Sequence, residues 1–351
     1  MKPYTAANIP SMKAISALKK PFTAVSLFSG GGGASVGLRL AGYKILYANE
    51  FVPAAAAVYR ANMERGTYLD TRDVRKVSVA SLLKLAGITK GELDYLDASP
   101  PCKLFSAAAS VGRSNSTKPH DEVVQYDDYI YQRVDDLFEH FVRLLRGVQP
   151  KVFVAENVPG LLAPKSKGYF IMILRSMESA GYTVRAAIVD PSLLGVPQRR
   201  RRLVFIGVRN DLKTIPVFPK PYTRPPMRVS EVLPEVGWLY RGDSRFTTSD
   251  EPGPTVVAED HHQAVTGFAS CGGWYKDRHG TLLKYSIPQL KRYFGFPQDF
   301  ILDGVNTPDR KGTLKPLTFG QQWIRLGRTH CPLQVYNISA TLREQILEKL
   351  R

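Results

Sequence analysis

The chain alternates between short apolar runs and longer segments with helical spacing. Val25, Ser26, Leu27 and Phe28 read as a short buried strand. Four glycines follow, and Val36, Leu38 and Leu40 then mark a helix that Gly42 stops. Residues 43–48 read as a second strand, with Glu50 just beyond it. Further on, VASLLKLAG is helical, LDYLDAS a strand, VDDLFEHFVRLLRGVQP an amphipathic helix and KVFVAENV a continuously apolar strand. FIMILRSMESAGY gives another helix, stopped by Gly181, and TVRAAIVD and RLVFIGVR read as closing strands. Strands alternating with helices predict an α/β domain with a parallel sheet and a ligand crevice at the strand ends.

The texture changes after Arg209. Residues 216–254 are rich in Pro, Arg and Gly, with short β-like runs. We therefore expect a smaller, irregular, β-rich domain over 213–315, with 1–212 and 316–351 forming the first domain. The tail ISATLREQILEKLR is again helical and is expected to pack back on that first domain. No internal repeat or low-complexity segment interrupts this plan.

Charge sharpens the picture more than size does. The 351 residues suit one large domain and a smaller one. The formal net charge is +17 and the pI is near 9.7, which points to a polyanionic partner, nucleic acid first. A generally basic surface is the blander reading. No apolar run approaches the roughly 20 residues that span a bilayer. The basic N-terminus lacks a continuous apolar stretch and is not read as a signal peptide. Cys102, Cys271 and Cys331 form no CxxC pair, so free thiols in a reducing compartment are expected, without zinc.

Candidate chemistry lies at the predicted strand ends. Gly30, Gly31, Gly32 and Gly33 allow a ligand to approach the backbone closely. Glu50, after the next strand, could accept from both hydroxyls of a ribose. The glycine spacing misses GxGxxG and no Walker lysine follows, so a nucleoside-containing cofactor without a tight pyrophosphate clamp fits better. Phe51 could lie against an adenine face, and Asp73 could accept from its amino group. Taken alone, Phe51 would be core and Asp73 a helix N-cap. Cys102 sits on a rigid corner made by Pro100 and Pro101, with Lys103 beside it to favour a thiolate. Alone it would be a buried thiol. The long polar loop that follows could close over a site. Glu156 ends an apolar strand and is placed for proton work. In QRRRRL, Arg200 and Arg202 share one face if the chain is extended.

The ordered set FSGGGGASVGL, ANEF, RDV, PPCKLFS, ENV, QRRRRL, GFP and RLGRTHCP resembles the motif series of DNA (cytosine-5)-methyltransferases. The resemblance spans residues 24–340 and rests on the motifs occurring together and in order. It implies a Rossmann-like S-adenosylmethionine-dependent methyltransferase sheet plus a small target-recognition domain, with double-stranded DNA in the cleft. By motif, Phe28, Gly30, Gly32 and Gly33 would surround S-adenosylmethionine. Glu50 would hold the ribose, Phe51 would stack on adenine, and Asp73 with Val74 would read the adenine edge. Pro100, Leu137, Arg328 and Thr329 would complete the cofactor wall. Cys102 would be the nucleophile, Glu156 would contact N3 and the amino group of cytosine, and Arg202 would contact O2. Arg200 would support the site or the DNA backbone. The implied enzyme is monomeric, metal-free and cytoplasmic, in a bacterium or a phage-infected host.

Three positions depart from the pattern. Lys103 replaces a glutamine, SIPQLKRYFGFP lacks an arginine–glutamate pair, and Arg328 stands where the family has asparagine. An arginine near a sulfonium meets a like charge. Either Arg328 turns away, or the donor is carboxy-S-adenosyl-methionine and the product 5-carboxymethylcytosine. Two competing functions remain, a tRNA cytosine methyltransferase and a non-catalytic DNA-binding relative. The first lacks its cysteine-phenylalanine-threonine tripeptide here, and the second does not need Cys102, Glu156 and Arg202 together.

Overall fold

The structure, a computed structural model, describes residues 4–101, 123–126, 130–133, 136–222, 225–241, 245–258 and 273–351. Seven strands form the main sheet: β1 (Phe22–Leu27), β2 (Tyr43–Asn49), β3 (Tyr68–Asp70), β4 (Tyr95–Ala98), β7 (Val152–Asn157), β8 (Tyr182–Val189) and β9 (Arg202–Arg209). Their order is β3-β2-β1-β4-β7-β9-β8. A hairpin, β5 (Val123–Tyr126) and β6 (Ile130–Arg133), lies between β4 and β7 in the chain. The main-sheet pairs are parallel except those of β9, which runs antiparallel to both β7 and β8. The expected α/β fold is therefore present, with one reversed strand that the apolar pattern of RLVFIGVR did not disclose.

Residue parity separates the two faces of the sheet, because successive side chains point to opposite sides. Val25, Leu27, Leu96, Phe153, Ala155, Leu203 and Phe205 join one apolar cluster. That cluster is covered by helices α4 (Val79–Ala86), α5 (Leu137–Val148) and α6 (Lys167–Glu178). Phe22, Ala24, Tyr95, Val152, Val154, Val204 and Ile206 join another, with helices α2 (Gly33–Leu40) and α9 (Pro332–Gln345). Burial on both faces explains why these strands read as continuous apolar runs. The remaining α-helices among the described residues are α1 (Met12–Ala17), α3 (Pro53–Asn62), α7 (Ile287–Phe294) and α8 (Phe319–Gly327).

Local chemistry ends the helices where the sequence suggests. Gly32 caps α2 at φ 101°, and Gly87 closes α4 in the left-handed region at φ 66°. Ser286 with Gln289 and Thr318 with Gln321 form capping boxes for α7 and α8. The C-terminal helix packs against α2 and one face of the main sheet. An ideal Cβ on Gly37 would stand 2.3 Å from the Pro332 carbonyl oxygen, so α2 and α9 approach at backbone distance.

The 213–315 segment carries a four-stranded antiparallel sheet of order β11-β10-β12-β13. Its strands are β10 (Val236–Tyr240), β11 (Phe246–Thr248), β12 (Trp274–Asp277) and β13 (Leu282–Lys284). A two-stranded piece, β14 (Asn306–Pro308) with β15 (Leu314–Pro316), follows. A third apolar cluster joins Leu239, Tyr275, Tyr293 and Phe296 of this region to Val36 and Val58, and to Trp323 and Leu333. No helix among the described residues is long and apolar enough to cross a membrane.

Candidate active site and cofactor crevice

The reversed strand positions the charged groups. In the register, Glu156 pairs with Val204 and Asn157 with Leu203. Arg202, the first residue of β9, thus lies at the carboxyl edge of the parallel strands. Had β9 run parallel, the arginines before it would sit at the opposite edge. Exposure alternates along the run: Arg199 and Arg201 are exposed, Arg200 is buried and Arg202 is mostly covered. This is the shared face expected for Arg200 and Arg202.

Glu156 is held from two sides. Arg202 Nε forms an ion pair with its Oε1 at 2.9 Å, and His330 Nε2 lies 2.9 Å from its Oε2. Burial by itself would raise the Glu156 pKa. The His330 imidazole, then Arg202 and Arg200, outweigh it and hold the carboxyl below its usual range. For His330, burial favours the neutral form, but Glu156 and then Asp97 carry its pKa above the ordinary value. Asp97, at the end of β4, accepts from Ser26 Oγ at 2.9 Å, and burial pushes it up to about 6. Asp97, Glu156 and Arg202 share the strand parity that faces α2 and α9, and His330 stands two residues before α9. Sequence reading missed His330. It fixed on Arg328, and no spacing rule connects residues 174 positions apart.

Arg200 sits deeper, 4% exposed. It donates to the Val256 carbonyl at 3.1 Å and the Gly327 carbonyl at 2.7 Å, and lies 5.5 Å from the centre of the Phe294 ring. Burial, reinforced by Arg202, pushes its pKa down to about 9. These bonds tie the arginine run to the end of α8, so Arg200 supports the site from behind. The neighbouring Cys331 is a buried free thiol pushed up to about 11 by burial.

The proline corner is fixed on both sides. Ser99 Oγ donates to the Phe28 carbonyl at 3.2 Å, and Asn157 Nδ2 donates to the Pro100 carbonyl at 3.3 Å. The glycine turn and the ENV strand end therefore flank the corner. Cys102 and Lys103, which follow it, lie outside the described residues, as does the polar loop of residues 106–122.

The cofactor candidates line the adjoining strand ends. Phe28 adopts φ 56°, a left-handed conformation that costs a non-glycine residue energy and directs the turn after β1. Gly30 donates its N–H to Glu50 Oε2 at 2.8 Å, and Val52 donates to Oε1 at 2.8 Å. Glu50 is 8% exposed and thus orders both the glycine turn and the start of α3. Beside Gly30, an added Cβ would meet nothing within 4 Å, which leaves open space against the turn. Phe51 is half-buried. Asp73 caps the short turn Val74–Lys76, accepting from Arg75 N at 2.9 Å and pairing with Arg75 Nη1 at 3.1 Å. Arg75 also pairs with Asp136, the residue before Leu137. Val74 and Leu137 are buried core residues rather than surface ones. Thr329 is buried against the N-terminus of α2, while Arg328 is exposed at the C-cap of α8. The structure thus brings Glu156, Arg200, Arg202 and the last motif together, and the glycine turn with Glu50.

Residues 22–237 match the family described as C-5 cytosine-specific DNA methylase. The chain belongs to that family. It is 32% identical over 200 residues to the type II methyltransferase M.NgoPII of Neisseria gonorrhoeae, covering 57% of this chain and 52% of that protein. The chain thus spans about half the length of that relative. It is 26% identical over 339 residues to the type II methyltransferase M.BsuFI of Bacillus subtilis, covering 93% of this chain and 73% of that one. Among solved structures, a putative DNA modification methyltransferase encoded within an E. coli prophage superposes with TM-score 0.63 at 19% identity, covering 93% of this chain and 99% of that one. S. pombe Dnmt2 methyltransferase superposes with TM-score 0.62 at 18% identity, covering 94% and 99%. These superpositions establish the methyltransferase fold for this methylase-family chain.

Proposed function

We propose that the chain is a DNA cytosine C5 methyltransferase acting on double-stranded DNA. The observation that carries this reading is the convergence of Glu156, Arg202 and the fixed proline corner at one sheet edge. S-adenosylmethionine fits the crevice: an added Cβ at Gly30 would meet nothing within 4 Å, and the buried Glu50 carboxylate orders the turn beside that space. When bound, it would supply an electrophilic methyl group for C5 of cytosine. Phe28, Gly30, Gly32, Gly33, Glu50, Phe51, Asp73, Val74 and Thr329 would hold it, with Leu137 supporting from the core.

The chain's own residues do the rest. The target base leaves the duplex so that C6 can be reached. The Cys102 thiolate forms a bond to C6, the C5–C6 double bond shifts toward C4, and N3 takes a proton. Glu156 faces N3 and the amino group, and Arg202 stabilises the negative charge that gathers at O2. After transfer, a base removes the C5 proton, the double bond re-forms and the thiolate leaves. The +17 charge supports attraction to phosphates, so binding should weaken steeply with salt. The type II methyltransferases among the relatives support a role in restriction and modification.

Arg328 bears on the donor. The residue is exposed, and solvent screens the repulsion between its charge and a sulfonium. This supports methyl rather than carboxymethyl transfer. The test compares duplex DNA and tRNA as acceptors at matched salt, with Cys102→Ala as control. Transfer to DNA that the substitution abolishes, with DNA binding retained, is expected. Preferred transfer to tRNA, or undiminished transfer by the variant, overturns the reading.

A further inference from the structure

The mechanism asks for a proton at cytosine N3, yet Glu156 does not hold one by itself. Both its oxygens are engaged, Oε1 by Arg202 and Oε2 by His330, each at 2.9 Å. The Glu156 and His330 side chains are 14% and 13% exposed, so the contact is shielded from solvent. Arginine does not release a proton in this range. His330 does, and it is the group in contact with the carboxylate whose proton is exchangeable near neutrality.

We propose that His330 is a positioning residue for Glu156, and that the two share the single proton delivered to N3 as the base reacts. This rests on the functional reading above. Before addition, the pair is a carboxylate with an imidazolium. As the C6–sulfur bond forms, one proton passes from the pair to N3, leaving a carboxylate and a neutral imidazole. When the thiolate departs, N3 returns the proton and the pair is restored, so protons and charge balance over the cycle. The proton belongs to the pair, as in other coupled sites.

The surroundings favour this sharing. From β7, Glu156 draws the proton onto the imidazole, and Asp97 on β4 adds to that pull. From the β9 side, Arg202 opposes a second positive charge on the ring. Arg200 acts on Glu156, lowering its proton affinity. Cys331, next to His330, keeps its proton because burial raises its pKa. The pair is thus poised to lose one proton as pH rises, and activity should fall on that alkaline limb.

The test uses the full chain with duplex DNA and S-adenosylmethionine. His330→Gln retains a donor toward Oε2 but cannot carry the proton. Its rate is expected to drop roughly tenfold or more at about pH 8, with the pH profile moved toward acid. His330→Val, which removes the donor as well, should be slower still. Thermal unfolding checks that both variants fold. Independently of activity, the imidazole resonances of the unmodified chain should show His330 titrating above an ordinary histidine, and lower in Glu156→Gln. A His330→Gln profile matching the unmodified chain at every pH, or a His330 resonance indifferent to Glu156→Gln, overturns the inference. If the unmodified chain transfers no methyl group at any pH, the functional reading fails, while the imidazole titration still decides whether the pair shares its proton.

Discussion

A Cβ on Gly33 would stand 2.2 Å from Thr329 Oγ1, so the first turn of α2 and the last motif meet at a distance only glycine permits. The same Cβ would lie 2.5 Å from the His330 carbonyl oxygen. The glycine turn is therefore packed against the segment that carries His330, not merely opened toward a ligand. Gly33→Ala is expected to destabilise the chain by about 1–3 kcal/mol in urea unfolding. Adding Thr329→Ala should recover part of that loss but not all, since the carbonyl remains.

Glu50 organises two backbone amides with one carboxylate. Glu50→Gln keeps a single, neutral acceptor oxygen, so one of Gly30 and Val52 loses its acceptor and the other its charged partner. A hydrogen bond to a charged group contributes about 1.5–3 kcal/mol. Calorimetric titration should show S-adenosylmethionine binding weakened roughly tenfold or more, with the far-ultraviolet spectrum preserved. Undiminished affinity would mean that Glu50 does not shape the crevice.

Arg200 is a support, and its removal should register as stability. Arg200→Leu leaves the Val256 and Gly327 carbonyls without their donor. The expected loss is about 1–3 kcal/mol. Arg200→Lys should restore little, because an ammonium cannot reproduce the planar two-pronged geometry. Urea midpoints of the three proteins decide this.

Asp97 gives the fold a pH dependence of definite sign. Its carboxyl is raised from 3.8 to about 6, chiefly by burial. The folded state therefore binds a proton more tightly than the unfolded chain. The stability from this group is complete below about pH 4 and is lost as pH rises through about 6. Asp97→Asn, which retains an acceptor for Ser26, should raise the melting temperature at neutral pH and flatten the profile between these limits. A variant with an unaltered profile would show that Asp97 is not the titrating group.

Much of this was legible in the chain, for physical reasons that can be traced. The strands of the main sheet are buried on both faces, so their apolar runs stand out, and Gly42, Gly87 and Gly181 mark helix ends at positive φ. Arg200 and Arg202 were correctly placed on one face because extended backbone alternates. What the pattern could not disclose is direction: RLVFIGVR reads the same whether β9 runs with or against its neighbours. His330 was invisible for a related reason. Its contact with Glu156 follows from the tail packing on α2, which no local spacing encodes. Asp73, open between cofactor ligand and cap, caps a turn and pairs with Arg75 in this structure. Val74 and Leu137 joined the core, since apolar residues carry no mark of whether a ligand or a helix covers them.

Methyl transfer to cytosine is decided by weighing the nucleosides of duplex DNA after exposure to the purified chain, with S-adenosylmethionine and carboxy-S-adenosyl-methionine supplied separately and together. 5-Methylcytosine is expected whenever S-adenosylmethionine is present, and its loss is expected with Cys102→Ala. Unmodified cytosine with S-adenosylmethionine, or 5-carboxymethylcytosine as the main product of the mixture, would contradict it.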